Sequence, residues 1–265
     1  MTAPRHIQIT LNKDGVAASL QRVTLLASHV VGTSLRALDN DDLSPPEMKA
    51  GFVHLGFGNL AMSEDERRQM FRNWILSKGF QDLARGVRET LEEAIFYIEL
   101  TKLQAGATTW GQLQAHMAAI RSKASRPKFP ELLEEVNAGL KERMAFDAEF
   151  QSLQNVRNCL EHRGGRVGQK DVDLNTGVMT LNFPRLRLTS VQGEGEIEVY
   201  EGQFFEKDTA LYFGRATRSR SYALDERIII SASDFFEIAM ACQLFASDVA
   251  AKLPDLPEKA ADLVV

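Results

Sequence analysis

Long hydrophobic runs, abundant cysteine and a surplus of positive charge are all missing from this sequence, and each absence removes a class of protein. The longest apolar stretches, such as Ala94 to Leu100 and Ile228 to Ile230, fall far short of the roughly 18 residues that mark a membrane span. No bilayer crossing is expected. The opening residues Met1 to Thr10 carry Arg5 and His6 but no apolar core of a secretory signal, which gives the expectation of a cytoplasmic protein. Cys159 and Cys242 are the only cysteines. Each falls in an apolar helical pattern, so two reduced, buried thiols are expected rather than a disulfide or a metal pair. With 31 Lys and Arg against 36 Asp and Glu, the net charge is −5, which excludes a basic coat for generic nucleic-acid binding. Internal repeats and low-complexity tracts are also lacking, which excludes a solenoid and a disordered chain.

What is present is the composition of an ordinary globular protein, 265 residues with 44% hydrophobic and 25% charged, long enough to bury a sizeable core without a metal or disulfide staple. Val16, Leu20, Val23, Ala27, Val30, Val31 and Leu35 recur at helical steps and predict a first helix over about 15–38. Ser63 and Glu66 have capping-box spacing ahead of a helix over about 64–78, closed by Gly79. Leu83 to Ile98 predict a third helix ending near Leu103. Thr108 or Thr109 caps a shorter one through Ile120, and Glu131 to Leu140 make another. Phe146, Phe150, Leu153, Val156 and Leu160 form the stripe of a helix that Gly164-Gly165 terminates. From Asp171 to Ser231 the period falls to two, which predicts a small antiparallel meander. Phe235 to Leu253 then trace a strongly apolar final helix. The expected architecture is mainly α: an up-and-down helical bundle over 12–166, a β meander inserted at 170–231, and a last helix over 232–253 that packs back on the bundle.

Two motifs invite chemistry. Phe52 to Leu55 followed by Gly56, Gly58 and Ala61, with Gly51 ahead of them, imitates a strand leading into a dinucleotide loop. The second parallel strand and its acidic residue that such a fold needs are absent, so a turn entering the Ser63-capped helix is the better reading and no cofactor is expected. The second motif is Arg157-Asn158-Cys159-Leu160-Glu161-His162. Stepping about 100° per residue places Arg157 inside the apolar stripe, where leucine would be expected. Burial of its head group costs several kcal/mol unless it is paired. Asn158 and His162, four apart, share a more polar face near the helix end.

R-N-x-x-x-H at the end of an amphipathic helix, in a mainly helical protein, resembles the signature of the HEPN superfamily (higher eukaryotes and prokaryotes nucleotide-binding). That resemblance implies a bundle that dimerises so that two motifs meet and cleave RNA without metal. It places the chain in a toxin–antitoxin, phage-defence or RNA-processing setting, with an antitoxin or other neutralising protein as a further partner. Arg157 and His162 are then the catalytic residues, Asn158 a supporting one, and Arg163 and Arg166 RNA contacts. The residue types suit the reaction, since an imidazole transfers protons near neutral pH and a guanidinium holds a phosphate. On one helix Arg157 and His162 diverge by about 140°, which a two-fold partner would remedy. Some members of the superfamily are inactive, so a silent dimeric interaction module is the alternative. The β segment after the motif departs from the basic bundle. Arg72-Asn73 lacks the histidine and shows that the dipeptide alone carries nothing.

Plainer readings stand beside these. Arg157 and Glu161, four apart, can form a surface ion pair with His162 capping the helix. In the basic cluster of Arg185, Arg187, Arg215, Arg218 and Arg220, Arg218 and Arg220 alternate onto one strand face and can track a phosphate backbone. A hairpin at Lys207 to Thr209 would instead pair Glu198 with Arg218 and Glu196 with Arg220 across strands, and that ion-paired reading is preferred.

Overall fold

Capping chemistry and apolar spacing set the element boundaries in the computed structural model, which describes residues 11–44, 47–50, 53–56, 61–103, 109–192, 195–200, 202–205 and 208–255. Asn12 starts α1 (Lys13–Asn40) by accepting the Asp14 backbone N–H at 2.9 Å, which satisfies one of the orphan donors of the first turn. Val16, Leu20, Ala27, Val31 and Leu35 form its buried face. Val23 and Val30 belong to the expected stripe, yet Val23 is only half-buried and Val30 is exposed.

β1 (Glu47–Ala50) and β2 (Val53–Gly56) pair antiparallel, Glu47 opposite Gly56 and Ala50 opposite Val53. The strand-like residues of the glycine motif therefore pair with the segment just before them, not in the parallel βαβ unit of a dinucleotide fold. Gly51 and Gly58 lie outside the described residues.

Ser63 and Glu66 form the capping box: the Ser63 N–H donates to the Glu66 carboxylate at 2.8 Å, and the Glu66 N–H to the Ser63 hydroxyl at 3.3 Å. The helix they start does not end at Gly79. α2 (Glu64–Thr101) continues for 38 residues and fuses the two helices expected on either side of that glycine. The reason is steric. A Cβ on Gly79 would lie 2.6 Å from Val31 Cγ2 and 2.8 Å from Phe235 Cε2, and one on Gly86 2.8 Å from Leu20 Cδ1. The missing side chains let neighbouring elements close on α2, which offsets the helix penalty of glycine, about 1 kcal/mol each relative to alanine.

Thr109 caps α3 (Trp110–Ala124) in a box with Gln112. α4 (Phe129–Gly139) begins two residues before Glu131 because Pro130 is accommodated in its first turn. Then follow α5 (Asp147–His162), β3 (Val178–Gln192), β4 (Gly195–Glu198), β5 (Leu211–Ala223) and α6 (Ala232–Lys252). The three strands form an antiparallel sheet in the order β4-β3-β5. This corrects the expected meander, in which β5 would pair with β4. β4 is four residues long and covers only the end of β3, whereas β5 runs beside β3 from Ser190 opposite Leu211 to Val178 opposite Ala223. The longer ladder satisfies more backbone groups.

Met179, Leu181 and Phe183 of β3 and Tyr222 of β5 turn one sheet face into the core. α6 buries Phe235, Ile238, Cys242, Phe245 and Val249 and packs against α1, α2 and β3. Its Phe245 ring lies 4.2 Å, centroid to centroid, from Phe150 of α5. Both cysteines are free and buried, and burial pushes the Cys242 thiol up to about 12. The protein is mainly helical, 59%, with a small antiparallel sheet before the last helix. Among the described residues no helix is long and apolar enough to cross a membrane.

Candidate functional site

α5 is pinned along its length before it reaches the motif. Ser152 Oγ accepts the Asn182 N–H of β3 at 2.8 Å and donates to the Asn182 carbonyl at 2.7 Å, and Gln154 Nε2 donates to the Ala84 carbonyl of α2. The helix then ends as expected at Gly164 and Gly165, whose φ angles of 60° and 76° suit glycine. The Arg163 and Gly165 N–H groups both donate to the Cys159 carbonyl, at 3.0 and 3.1 Å. Beyond the turn, Val167 N–H donates to Glu226 O, Asp225 N–H to Val167 O and Ile228 N–H to Gly165 O, each at 2.9 Å. The backbone around the motif is therefore tied to the segment leading into α6.

Within this frame Arg157 is half-buried, its side chain 26% exposed, and its guanidinium pairs with Glu161 and donates to Asn158 Oδ1 at 3.2 Å. The plain i,i+4 ion pair is thus present. His162 lies at the last position of α5, its side chain 62% exposed and its Nε2 4.0 Å from Glu161 Oε2. Glu161 stands between the two motif residues, holding one and facing the other. Sequence reasoning treated it only as a partner for Arg157; its adjacency to His162 was the signal of a second role.

Arg163, expected as an RNA contact, is committed elsewhere. Its Nε donates to Asp171 Oδ2 at 2.7 Å and its second nitrogen bonds Oδ1, while the Gly168 N–H donates to Asp171 Oδ2 at 2.9 Å. The Asp171 side chain is only 4% exposed. Partial burial works against the Arg163 charge, but the paired carboxylate prevails and raises its pKa. Arg163 is a clamp that folds the 163–171 loop. Nothing local in the sequence announces a pair eight residues apart across a double glycine. Arg166, by contrast, is 69% exposed, and beyond the Asp225 carbonyl at 3.1 Å its nearest charge is the Asp225 carboxylate at 3.9 Å. Burial pushes the Cys159 thiol up, with a further contribution from Asp171, which makes it a poor nucleophile.

A groove of about 810 Å³ borders the motif turn. It is lined by Leu160, Gly164 and Gly165 of the motif turn, by Arg227, and by Trp74 and Lys78 of α2. The Trp74 ring is 63% exposed. Among the described residues no group of three or more His, Cys, Asp or Glu gathers as a metal site.

Arg185, Arg187, Arg218 and Arg220 are ion-paired, with partners other than those the expected hairpin gives. Arg185 makes a two-pronged pair with Glu198 at 2.5 and 2.8 Å, and Arg187 reaches Glu196 at 3.3 Å. Arg218 and Arg220 do share a strand face, but they reach α6: Arg218 bonds Glu237 at 2.6 and 2.8 Å, and Arg220 bonds Asp234 at 2.9 and 2.7 Å. The cause is the strand order. With β3 between β4 and β5, residues of β4 cannot face those of β5.

Comparison with family models, with curated protein sequences and with solved structures returned no match.

Proposed function

We propose that this protein is a HEPN-like, metal-independent endoribonuclease that works as a two-fold homodimer in the cytoplasm. The bundle would follow the up-and-down arrangement of that superfamily. The observation that carries the reading is an exposed His162 at a firmly held helix end, five residues from Arg157, next to a turn that lines a groove with Arg227. A backbone held on both sides of the motif, with His162 exposed, is what a preorganised site requires.

In the proposed reaction His162 takes the proton of the ribose 2′-hydroxyl as the O2′–P bond forms. The P–O5′ bond breaks, and the His162 of the second copy gives a proton to the leaving O5′. Arg157 leaves Glu161 to bind the phosphate oxygens, where its charge opposes the charge that develops in the transition state. Glu161 then faces the imidazolium. Asn158 steadies the Arg157 guanidinium, Arg166 contacts the RNA backbone, and Arg163 holds the loop. The setting is toxin–antitoxin, defence or RNA processing, with a neutralising protein as the further partner.

Cleavage should persist in excess chelator, leave a 2′,3′-cyclic phosphate and a 5′-hydroxyl, and stop when the 2′-hydroxyl at the cut site is replaced by hydrogen. Dependence on added magnesium, or equal cutting of DNA, overturns the reading. One observation favours a second one: the Arg157 guanidinium is already occupied by Glu161 and Asn158, as suits a silent interaction module. That module forms the dimer and cuts no RNA.

A further inference from the structure

The outer side of the α1–α2 pair is apolar for a surface that faces solvent. Leu26 and Val30 of α1 and Trp74 of α2 are all more than half exposed. Between the helices runs a second groove, of about 430 Å³, with Leu26 and Val30 on one wall and Trp74 and Lys78 on the other. A contiguous exposed apolar surface of this kind marks an interaction site.

The α2 wall of the groove also carries Lys78, Asp82, Arg85 and Glu89, which lie within about 60° of one another around the helix. Asp82 and Arg85 pair with each other at 2.5 Å. Lys78 and Glu89 have no ion-pair partner among the described residues. The charge order is positive, negative, positive, negative, and it reverses sign about its own midpoint between Leu83 and Ala84. A helix turned end over end by a two-fold axis at that midpoint would set Lys78 against Glu89 and Asp82 against Arg85 of another copy.

The packing of α1 on α2 gives a second, independent indication. Gly79 lies against Val31, and Gly86 lies against Leu20 and Val23. The midpoint of the charged row is therefore about level with Leu26, the most exposed apolar residue on the α1 wall. One axis serves both features.

We propose that the α1–α2 face binds a second copy of this chain about a two-fold axis. The two α2 helices run antiparallel, with Lys78–Glu89 and Asp82–Arg85 pairs between copies and the exposed Leu26 of each α1 packed beside them. An unrelated partner would give no reason for a charge row that is complementary to its own reverse. The inference deepens the dimeric reading above by naming the face, and it is testable without RNA.

Sedimentation velocity on the full chain at micromolar concentration reads it directly. The unaltered protein should be a dimer. Lys78→Glu and Glu89→Lys should each weaken dimerisation by about tenfold or more, since each makes two like-charge contacts by symmetry. The combined Lys78→Glu/Glu89→Lys chain should return to within about threefold of the starting affinity, because the pair is restored with its signs exchanged. Leu26→Asp should give monomers. All of these side chains are at the surface, and unchanged thermal melting confirms that folding is intact. A monomeric unaltered protein overturns the proposal. So does a dimer indifferent to both single changes, or a loss that the combined change does not rescue. A dimer that behaves as stated yet cuts no RNA keeps this face and removes the ribonuclease reading; a monomer that cuts RNA removes this face and the two-histidine site but leaves the chain a ribonuclease.

Discussion

Two pairs of glycines do opposite work in this molecule. Gly79 and Gly86 lie inside α2 with ordinary helical backbone, and their use is the space that a side chain would occupy: a Cβ at Gly79 would meet Val31 and Phe235 at under 3 Å. Gly164 and Gly165 end α5 with positive φ, and a Cβ at Gly164 would meet nothing within 4 Å. Their use is backbone freedom. The first pair belongs to a seam fixed by side-chain packing, the second to a turn fixed by backbone hydrogen bonds. The seam is accordingly buried, while His162 beside the turn is exposed.

The largest expected effect breaks the seam. Gly79→Val should destabilise the protein by about 3 kcal/mol, because Val31 and the Phe235 ring are buried and have nowhere to move. Gly86→Ala should stay within about 1 kcal/mol of the unaltered protein, since the Leu20 methyl can turn aside and alanine favours the helix. Denaturant unfolding of the two variants checks the comparison, and equal losses would end it. At the turn, Asp171→Asn should cost about 1–2 kcal/mol by removing the charge-assisted bonds to Arg163. It should also lower RNA cleavage, since the loop beside the motif loosens. An unchanged unfolding curve would show that the clamp holds nothing.

A smaller effect is acid-dependent. Burial pushes the Asp234 carboxyl up, but the Arg220 guanidinium and the Ser231 hydroxyl prevail and hold its pKa below the usual carboxylate range. A carboxyl depressed in the folded state stabilises it above the unfolded pKa of about 3.9 and loses that contribution as pH falls through the folded value. Asp234→Asn should therefore be about 1 kcal/mol less stable near neutrality, and the gap should close as the solution is acidified below about pH 4. A gap that stays constant with pH would show that the pair contributes no charge-dependent stability. A smaller effect still is Arg157→Ala, which should cost under about 1 kcal/mol, since the side chain is only half-buried and its ion pair lies near the surface. A larger loss in thermal melting would make Arg157 a packing residue first.

The same contrast tells what could be read from the sequence. Ser63 with Glu66, the cap at Thr108 or Thr109 and the double glycine after His162 are local signals, and each marks a helix end found in the structure, the cap falling on Thr109. Gly79 misleads because its reason to exist, Val31 and Phe235, lies on two other elements. The change from helical to alternating pattern near Asp171 was legible, whereas the β4-β3-β5 order was not, because pairing depends on ladder length across the sheet. The partners of Arg218 and Arg220 followed that error. At the site, the sequence singled out Arg157 and His162 and the exact ion pair between Arg157 and Glu161. The Asp171 clamp, the groove beside Gly164 and the exposed Trp74 arise from tertiary packing and had no local signal.

The ribonuclease account stands or falls with His162→Ala. Its side chain is exposed and packs on nothing in the core, so melting should shift by less than the equivalent of about 0.5 kcal/mol, while RNA cleavage in excess chelator should be abolished. Cleavage that survives the substitution, or a variant that loses its fold, would contradict the assignment of His162 as the group that moves the proton.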